Sequence, residues 1–475
     1  MPLENPLDMP ELRSLIVSSL ESKDLASCVR VSKHWRDLLF HPHLWRAIEA
    51  GARRGPPIDD IYNHRHLIHT LVLHGVLIRL DKENYTNLRT LSINSPHVSG
   101  QSTISLNLIR FPSLVNLALS DVDLAPIIWT TLSSHPHPIT LELYTVHIKD
   151  VDAPIFWHAC QNLEYLRLAN VTIKHGALLA DTLFNRMRYL HMGIIRGFDD
   201  LVRMDLMLRC PRLEYVSWIH DPEDINQRTF HPVQNNHWLR LSKLHIVYPL
   251  QDTDMAAILK GVGNDFGTVV YLNANGKALK EQAFRALSRH FNTLTYLSLT
   301  ECQPDVSWAI RDVLCGCPNL EYLKATSISD RDIAEGGPWV CTRLRELDIC
   351  FLVEESGQGR QPLIFEHLST LVRLERLTLQ PSPMTDGDQG RVLAFRLSCG
   401  MGKLSTLKQL SYICFESGTR YMYNEGVGIK EIKWMIKHWK KMKKVRGRLA
   451  DHNLYIDICI TLEFHGIDYH PATWR

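Results

Sequence analysis

At 475 residues, with 45% hydrophobic and 22% charged side chains, the chain is too long for one compact core and too apolar for extensive disorder. It is expected to be several domains or one elongated repeat. The 53 basic against 51 acidic residues leave a net charge of +2, which gives no global electrostatic reason to bind nucleic acid or a membrane.

The N-terminus, MPLENPLDMPELRSL, puts acids and prolines where a secretory signal would carry basic residues and then an apolar run. No apolar run approaches the roughly 20 residues of a membrane helix. Eleven cysteines, an odd number spread over the chain, read as reduced thiols rather than a disulfide framework. The expected compartment is therefore the cytoplasm, the nucleus or both, and Asn170-Val171-Thr172 is a chance glycosylation pattern.

Residues 1–50 read as three short helices. Pro10 suits a first helical turn, and Glu11 complements the positive helix end. Leu12, Leu15, Ile16 and Leu20 fall on one face. Ser22 can cap a second helix carrying Leu25, Cys28 and Val29. Trp35, Leu38 and Leu39 follow on a third, and Pro42 breaks the pattern before Leu44-Trp45. A unit of about 45 residues has little core of its own, so it is expected to lean on a partner.

This segment resembles an F-box over about residues 5–49. The residues that carry the resemblance are Met9-Pro10-Glu11, Ile16, Leu20, Asp24-Leu25, Cys28, Val31-Ser32-Lys33, Trp35-Arg36 and Leu44-Trp45. Met9 stands where the family usually has leucine, a change that keeps volume and polarity. The resemblance implies docking on the Skp-type adaptor of a cullin-RING ubiquitin ligase. By that analogy Pro10, Leu12, Ile16, Leu20, Leu25 and Val31 form the adaptor face, while Trp35 and Trp45 hold the bundle together.

After a linker at 51–66, residues 67–425 repeat one phrase. CQNLEYL from Cys160, CPRLEYV from Cys210 and CPNLEYL from Cys317 are its clearest copies. With the first leucine as anchor, apolar residues recur at anchor, anchor+3 and anchor+5. Strong members start at Leu88, Leu114, Leu163, Leu213, Leu294, Leu320, Leu344, Leu374 and Leu407, and weaker ones at Ile68, Pro138, Met187, Leu241 and Val269. Many successive anchors lie 24–26 residues apart. Positions anchor+3 and anchor+5 share one face of a strand, while segments such as DVSWAIRDVLCG, Asp305 to Gly316, have helical spacing. A strand alternating with a helix at this period gives a stacked solenoid with a parallel sheet.

Cys160, Cys210, Cys317 and Cys341 each stand three residues before an anchor. Stacking places them in a column rather than around one point, so they are expected to be small hydrophobes filling a helix-to-strand corner and not zinc ligands. The phrase resembles the cysteine-containing subclass of leucine-rich repeats, through Cys317, Pro318, Leu320 and Leu323, and through Cys302 eight residues after Leu294. The expected fold is thus α/β: a small N-terminal three-helix F-box followed by a curved leucine-rich-repeat solenoid, its parallel β-sheet lined by helices.

Three long polar stretches follow strands: 221–238, 353–362 and 381–391. Insertions on one rim of a solenoid often form its binding face. Residues 426–475 are expected to hold a basic helix and a capping strand. Lys430 to Arg448 carries nine lysines and arginines against the single acid Glu431, with Ile432, Met435, Ile436, Trp439 and Met442 on one helical face. The run Leu454 to Phe464 is expected to be the strand that closes the sheet.

There is no nucleophile elbow, no H-E-x-x-H and no phosphate-binding loop, so neither catalysis nor a cofactor or metal is expected. Two readings follow. In one, the chain is the substrate-recognition subunit of a ubiquitin ligase, with a Skp-type adaptor, a cullin and a protein substrate as partners. In the other, the repeats are a scaffold or transport adaptor and the bundle is a cap.

Overall fold

A computed structural model gives the architecture. It describes residues 9, 12, 15, 16, 19, 24, 27, 28, 31–33 and 35, then 45–51, 58–75, 80, 84–94, 104–137, 139–173, 182–219, 237–247, 250–264, 266–272, 280–300, 307–353, 360–380, 391–415, 427–447 and 455–470. The chain divides into two units, Met1–Arg228 and Thr229–Arg475.

The strands of the first unit are β1 (Ala47–Gly51), β2 (Thr70–His74), β3 (Thr90–Asn94), β4 (Asn116–Ser120), β5 (Thr140–Tyr144), β6 (Tyr165–Ala169), β7 (Val171–Thr172), β8 (Tyr189–Met192), β9 (Ile195–Arg196) and β10 (Tyr215–Ile219). Strands β1 to β6, then β8 and β10, pair each with the next in one parallel sheet. β7 and β9 form a small second parallel pair. The helices α1 (Ile58–Asn63), α2 (Ile127–Ser133), α3 (Ala153–Cys160) and α4 (Asp200–Leu208) lie between strands.

The second unit repeats this plan with β11 (Lys243–Val247), β12 (Thr268–Leu272), β13 (Tyr296–Thr300), β14 (Tyr322–Ser329), β15 (Glu346–Val353), β16 (Arg376–Leu379), β17 (Arg391–Val392), β18 (Tyr412–Phe415), β19 (Lys444–Gly447) and β20 (Asp468–His470). All pair in parallel except β17, which runs antiparallel to the end of β15. Its helices are α5 (Asp252–Gly261), α6 (Glu281–Ser288), α7 (Ser307–Gly316), α8 (Asp330–Glu335), α9 (Gln361–Ser369), α10 (Ile429–His438) and α11 (Tyr455–Phe464). A long parallel-strand repeat of this kind is a solenoid, and the architecture is compatible with leucine-rich repeats.

The strand register explains the seven-residue phrase position by position. Leu141, Leu166, Leu190 and Val216 are cross-strand partners, all buried, as are the anchors Leu163, Met187 and Leu213. The cysteine three residues earlier fills the corner: Cys160, Cys210, Cys317 and Cys341 are fully buried. Burial pushes their thiols up, that of Cys341 to about 12, so they remain protonated and behave as small hydrophobes.

The small polar residue just before the anchor ties one repeat to the previous one. The amide of Asn162 donates to the Ser133 carbonyl at 2.6 Å, that of Asn87 to His66 at 2.6 Å, and that of Asn319 to Asn292 at 2.7 Å. The hydroxyls of Ser113 and Thr293 do the same to Thr86 and Phe266, at 2.6 and 2.7 Å. Chain turning out of a helix leaves carbonyls without ladder partners. A donor at this one position satisfies them repeat after repeat.

Several expectations need correction. Val269 pairs with Leu297, which is anchor+3 of its own repeat, so the anchor of that unit is Phe266 and not Val269. Ile413 pairs with Leu377, so the last strong anchor is Leu410 and not Leu407. Both slips are of three residues, and both arise because apolar residues three apart continue on either side of the true phrase. The sheet also begins earlier than residue 67. Ala47 pairs with Thr70 and Gly51 with His74, with Trp45, Ile48 and Ala50 as anchor, anchor+3 and anchor+5, all buried.

At the other end, the run expected as a closing strand holds helix α11, Tyr455–Phe464, and the short β20 closes the sheet against β19. The basic run is not one helix either. α10 stops at His438 and β19 follows at Lys444, so it supplies the helix and strand of one further repeat. Most of the polar stretches at 221–238, 353–362 and 381–391 lies outside the described residues. Within them Gln361 and Pro362 open α9, and Arg391 starts β17.

Candidate functional site

The N-terminal segment displays apolar side chains where the repeats bury theirs. Met9 is 45% exposed, Leu12 40%, Leu15 66% and Ile16 39%. Spacings of three and four put Leu12, Leu15 and Ile16 on one side of a helix, with Met9 at a bend ahead of them. Residues 12, 15, 16 and 19 are helical, and the Ser19 hydroxyl donates to the Ile16 carbonyl at 2.7 Å. Farther along, the Val31 N–H donates to the Cys28 carbonyl at 3.1 Å as that turn closes. Ser32 then accepts the Trp35 N–H at 3.0 Å, the bond of a helix cap. Val31, at the corner, is 67% exposed.

Of the residues expected at an adaptor face, Leu12, Ile16 and Val31 are exposed. Pro10, Leu20 and Leu25 lie outside the described residues. Burying a large aliphatic side chain is worth about 1.5–3 kcal/mol, so a row of exposed ones is a surface shaped for a partner. Trp35 is half-buried. Trp45, expected to hold the bundle together, instead stands at the anchor of β1 and stacks on His64, with ring centroids 4.1 Å apart and planes 15° apart.

A second surface, missed from the sequence, is the open face of each sheet. The tyrosine of the LEYL phrase sits at anchor+2 and points away from the core. Tyr165, Tyr189 and Tyr215 are consecutive cross-strand partners in the first unit. Beside them Tyr144 donates to Glu142 at 2.5 Å, and the Arg167 guanidinium lies 5.1 Å above the Tyr144 ring. Burial, followed by the Glu142 hydrogen bond, pushes the Tyr144 hydroxyl up to about 12.

In the second unit, Tyr296 and Tyr322 stack in parallel with centroids 4.0 Å apart, and burial, then the Tyr296 hydrogen bond, raises the Tyr322 hydroxyl. Arg376 lies 4.5 Å above the Tyr412 ring and 3.6 Å from Glu346. Tyrosine-rich faces of this kind favour protein contacts. The signal was present in the sequence as a tyrosine recurring two residues after the anchor. It becomes legible only once the strand period assigns that position to the open face.

With this geometry in hand, comparison with known families gives one match: the F-box-like domain, over residues 10–49. No curated protein matches the chain significantly. The matched segment is the one with the exposed apolar row, and an F-box-like domain there suggests a protein-interaction adaptor. Among the described residues no helix is long and apolar enough to cross a membrane.

Proposed function

We propose that the chain is the substrate-recognition subunit of a Skp/cullin/F-box ubiquitin ligase. In this reading Pro10, Leu12, Ile16, Leu20, Leu25 and Val31 dock on a Skp-type adaptor, which links the chain to a cullin. The repeats, taken as leucine-rich repeats, hold a protein substrate. The observation that carries the reading is the coincidence of the F-box-like match at residues 10–49 with the exposed row Met9, Leu12, Leu15 and Ile16. The chain itself transfers nothing and is no enzyme. It works in the cytoplasm or nucleus by raising the effective concentration of substrate beside the ubiquitin-loaded enzyme.

One observation favours a second reading, that of a scaffold whose N-terminal segment is a cap. Trp45 and β1 are built into the sheet, in register with β2. A cap needs no exposed apolar row, however, and that row weighs toward the first reading.

Co-expression with a Skp-type adaptor separates the two. The intact chain should co-purify with it. Deletion of residues 1–44, which spares Trp45 and β1, and the double substitution Leu12→Asp with Ile16→Asp should each lose it. A folded intact chain that retains no adaptor would leave the scaffold reading.

A further inference from the structure

Several basic side chains in both units pair with an acid of a neighbouring repeat. Arg188 makes two contacts with Glu214, at 2.8 and 2.9 Å. Lys324 meets Asp348 at 3.3 Å, Arg345 meets Glu375 at 2.9 Å, and Lys403 meets Glu366 at 2.7 Å. Near the carboxyl end of the second unit Lys444 still meets Asp468, at 3.9 Å, but four other lysines of the last repeats do not pair this way. Lys408, Lys437, Lys440 and Lys441 are all exposed, and among the described residues none of them forms an ion pair with a carboxylate.

These four lysines form one surface. Lys441 donates to the Gln409 side chain at 2.5 Å, tying the turn before β19 to the turn before β18. At the end of α10 the His438 imidazole is held below its ordinary range by desolvation and then by Lys408, Lys437 and Lys440, and Lys408 is the chain neighbour of Gln409, which Lys441 holds. Trp434 stacks on that ring, with centroids 4.7 Å apart. Glu431, the one acid in residues 427–447, is engaged at the start of the helix, where it accepts the Gly428 N–H at 3.1 Å and the Leu397 N–H at 3.3 Å.

The chemistry points to a protein rather than a bilayer. The apolar side of α10 is already covered: Ile432, Met435 and Trp439 are buried, and the Trp439 indole donates to the Leu404 carbonyl at 2.9 Å. A membrane-surface helix needs that side free. The next helix, α11, does expose Ile456, Ile460 and Phe464, but Asp457 and Glu463 are exposed alongside them, and an anionic membrane repels carboxylates.

We propose that Lys408, Lys437, Lys440 and Lys441 form a docking site for an acidic peptide segment, rich in Asp and Glu, on a protein captured by the repeats. This rests on the adaptor reading for the origin of that protein, but the binding itself does not involve the F-box-like segment. Attraction between exposed ammonium and carboxylate groups is screened by salt over about 8–10 Å, so the contact is salt-sensitive and adds to whatever the repeat faces contribute.

The test is fluorescence anisotropy of a labelled hexaglutamate peptide with the full-length chain, run beside a hexaglycine control, phosphatidylserine vesicles and single-stranded DNA. Hexaglutamate binding that weakens about tenfold or more in the triple variant Lys437→Glu, Lys440→Glu and Lys441→Glu is the expected result. It should survive the triple control Lys243→Glu, Lys260→Glu and Lys280→Glu, which makes the same charge change at exposed positions outside the patch. No hexaglutamate binding at low salt, equal loss in the control, or tighter binding to the vesicles or the DNA would overturn the proposal. Adaptor co-purification is read separately, so its failure would remove the ligase role without touching this result.

Discussion

The F-box-like segment and the repeats use the same aliphatic residues in opposite ways. In the repeats, Leu166, Leu323 and their register partners are at most 1% exposed; in the N-terminal segment, Leu12, Leu15 and Ile16 are 39–66% exposed. A strand in a stacked sheet offers each leucine a neighbour on both sides, so its burial stabilises the fold directly. A segment of about 45 residues has no such stack, and its outward leucines gain burial only when another chain arrives. The contrast therefore predicts that substitutions in the repeats read out as stability and those in the segment as binding.

The largest effect should come from the repeat core. Leu323→Ala removes a fully buried side chain flanked by Leu297 and Leu347, and should cost about 2–5 kcal/mol in chemical denaturation. A loss under about 1 kcal/mol would mean that the stack repacks, and the distinction between the two regions would blur.

Gly447→Ala should follow closely. Gly447 has φ of 112°, and a Cβ there would meet the Phe415 carbonyl oxygen at 2.0 Å. Left-handed strain and a backbone clash together predict a loss of about 1–3 kcal/mol or more, with the damage confined to the β18–β19 end in hydrogen exchange.

A smaller effect is expected for Asn162→Ala, which removes the bond from one repeat to the Ser133 carbonyl. About 0.5–1.5 kcal/mol is the usual scale for one such bond. The same substitution made on the exposed face of the N-terminal segment, Leu12→Ala, should stay within about 0.5 kcal/mol.

The repeats should also respond to acid. Burial lowers the pKa of His290 in the folded chain from its ordinary 6.5, with only a partly opposing hydrogen bond to the Leu259 carbonyl; His245 and His367 are likewise lowered by burial. Below 6.5 the unfolded chain takes up protons that the folded chain refuses. Stability is thus full above pH 6.5 and falls as pH drops toward the lowered folded values. Thermal unfolding at pH 7.5 and pH 5 should show the lower Tm at pH 5, and His290→Gln should reduce that gap.

Much of the repeat was legible in the sequence because burial at anchor, anchor+3 and anchor+5 is written directly in residue type. It failed where two apolar triplets ran together. Phe266 and Val269, and again Leu407 and Leu410, offer equivalent anchors three apart, and only pairing with the neighbouring strand chooses between them. The run Leu454 to Phe464 misled for a related reason. Its β-branched residues favour a strand, yet Ile458 and Leu462 bury on one side four residues apart while Ile456 and Ile460 stay outside, a helical division that tertiary packing imposes. On the candidate docking face, the helical spacing of Leu12, Leu15 and Ile16 was readable. That these side chains face outward was not, because a core helix and a docking helix share one pattern.

The central claim is that the row Met9 to Ile16 awaits a partner, and hydrogen–deuterium exchange of the full-length chain with and without a purified Skp-type adaptor tests it most directly. The account predicts that adaptor slows exchange across residues 10–49 and leaves the amides of β2 to β6 unchanged, and that Leu12→Asp with Ile16→Asp abolishes the slowing without altering exchange in the repeats. Protection appearing in the repeats instead, or none anywhere on a folded chain at saturating adaptor, would contradict it.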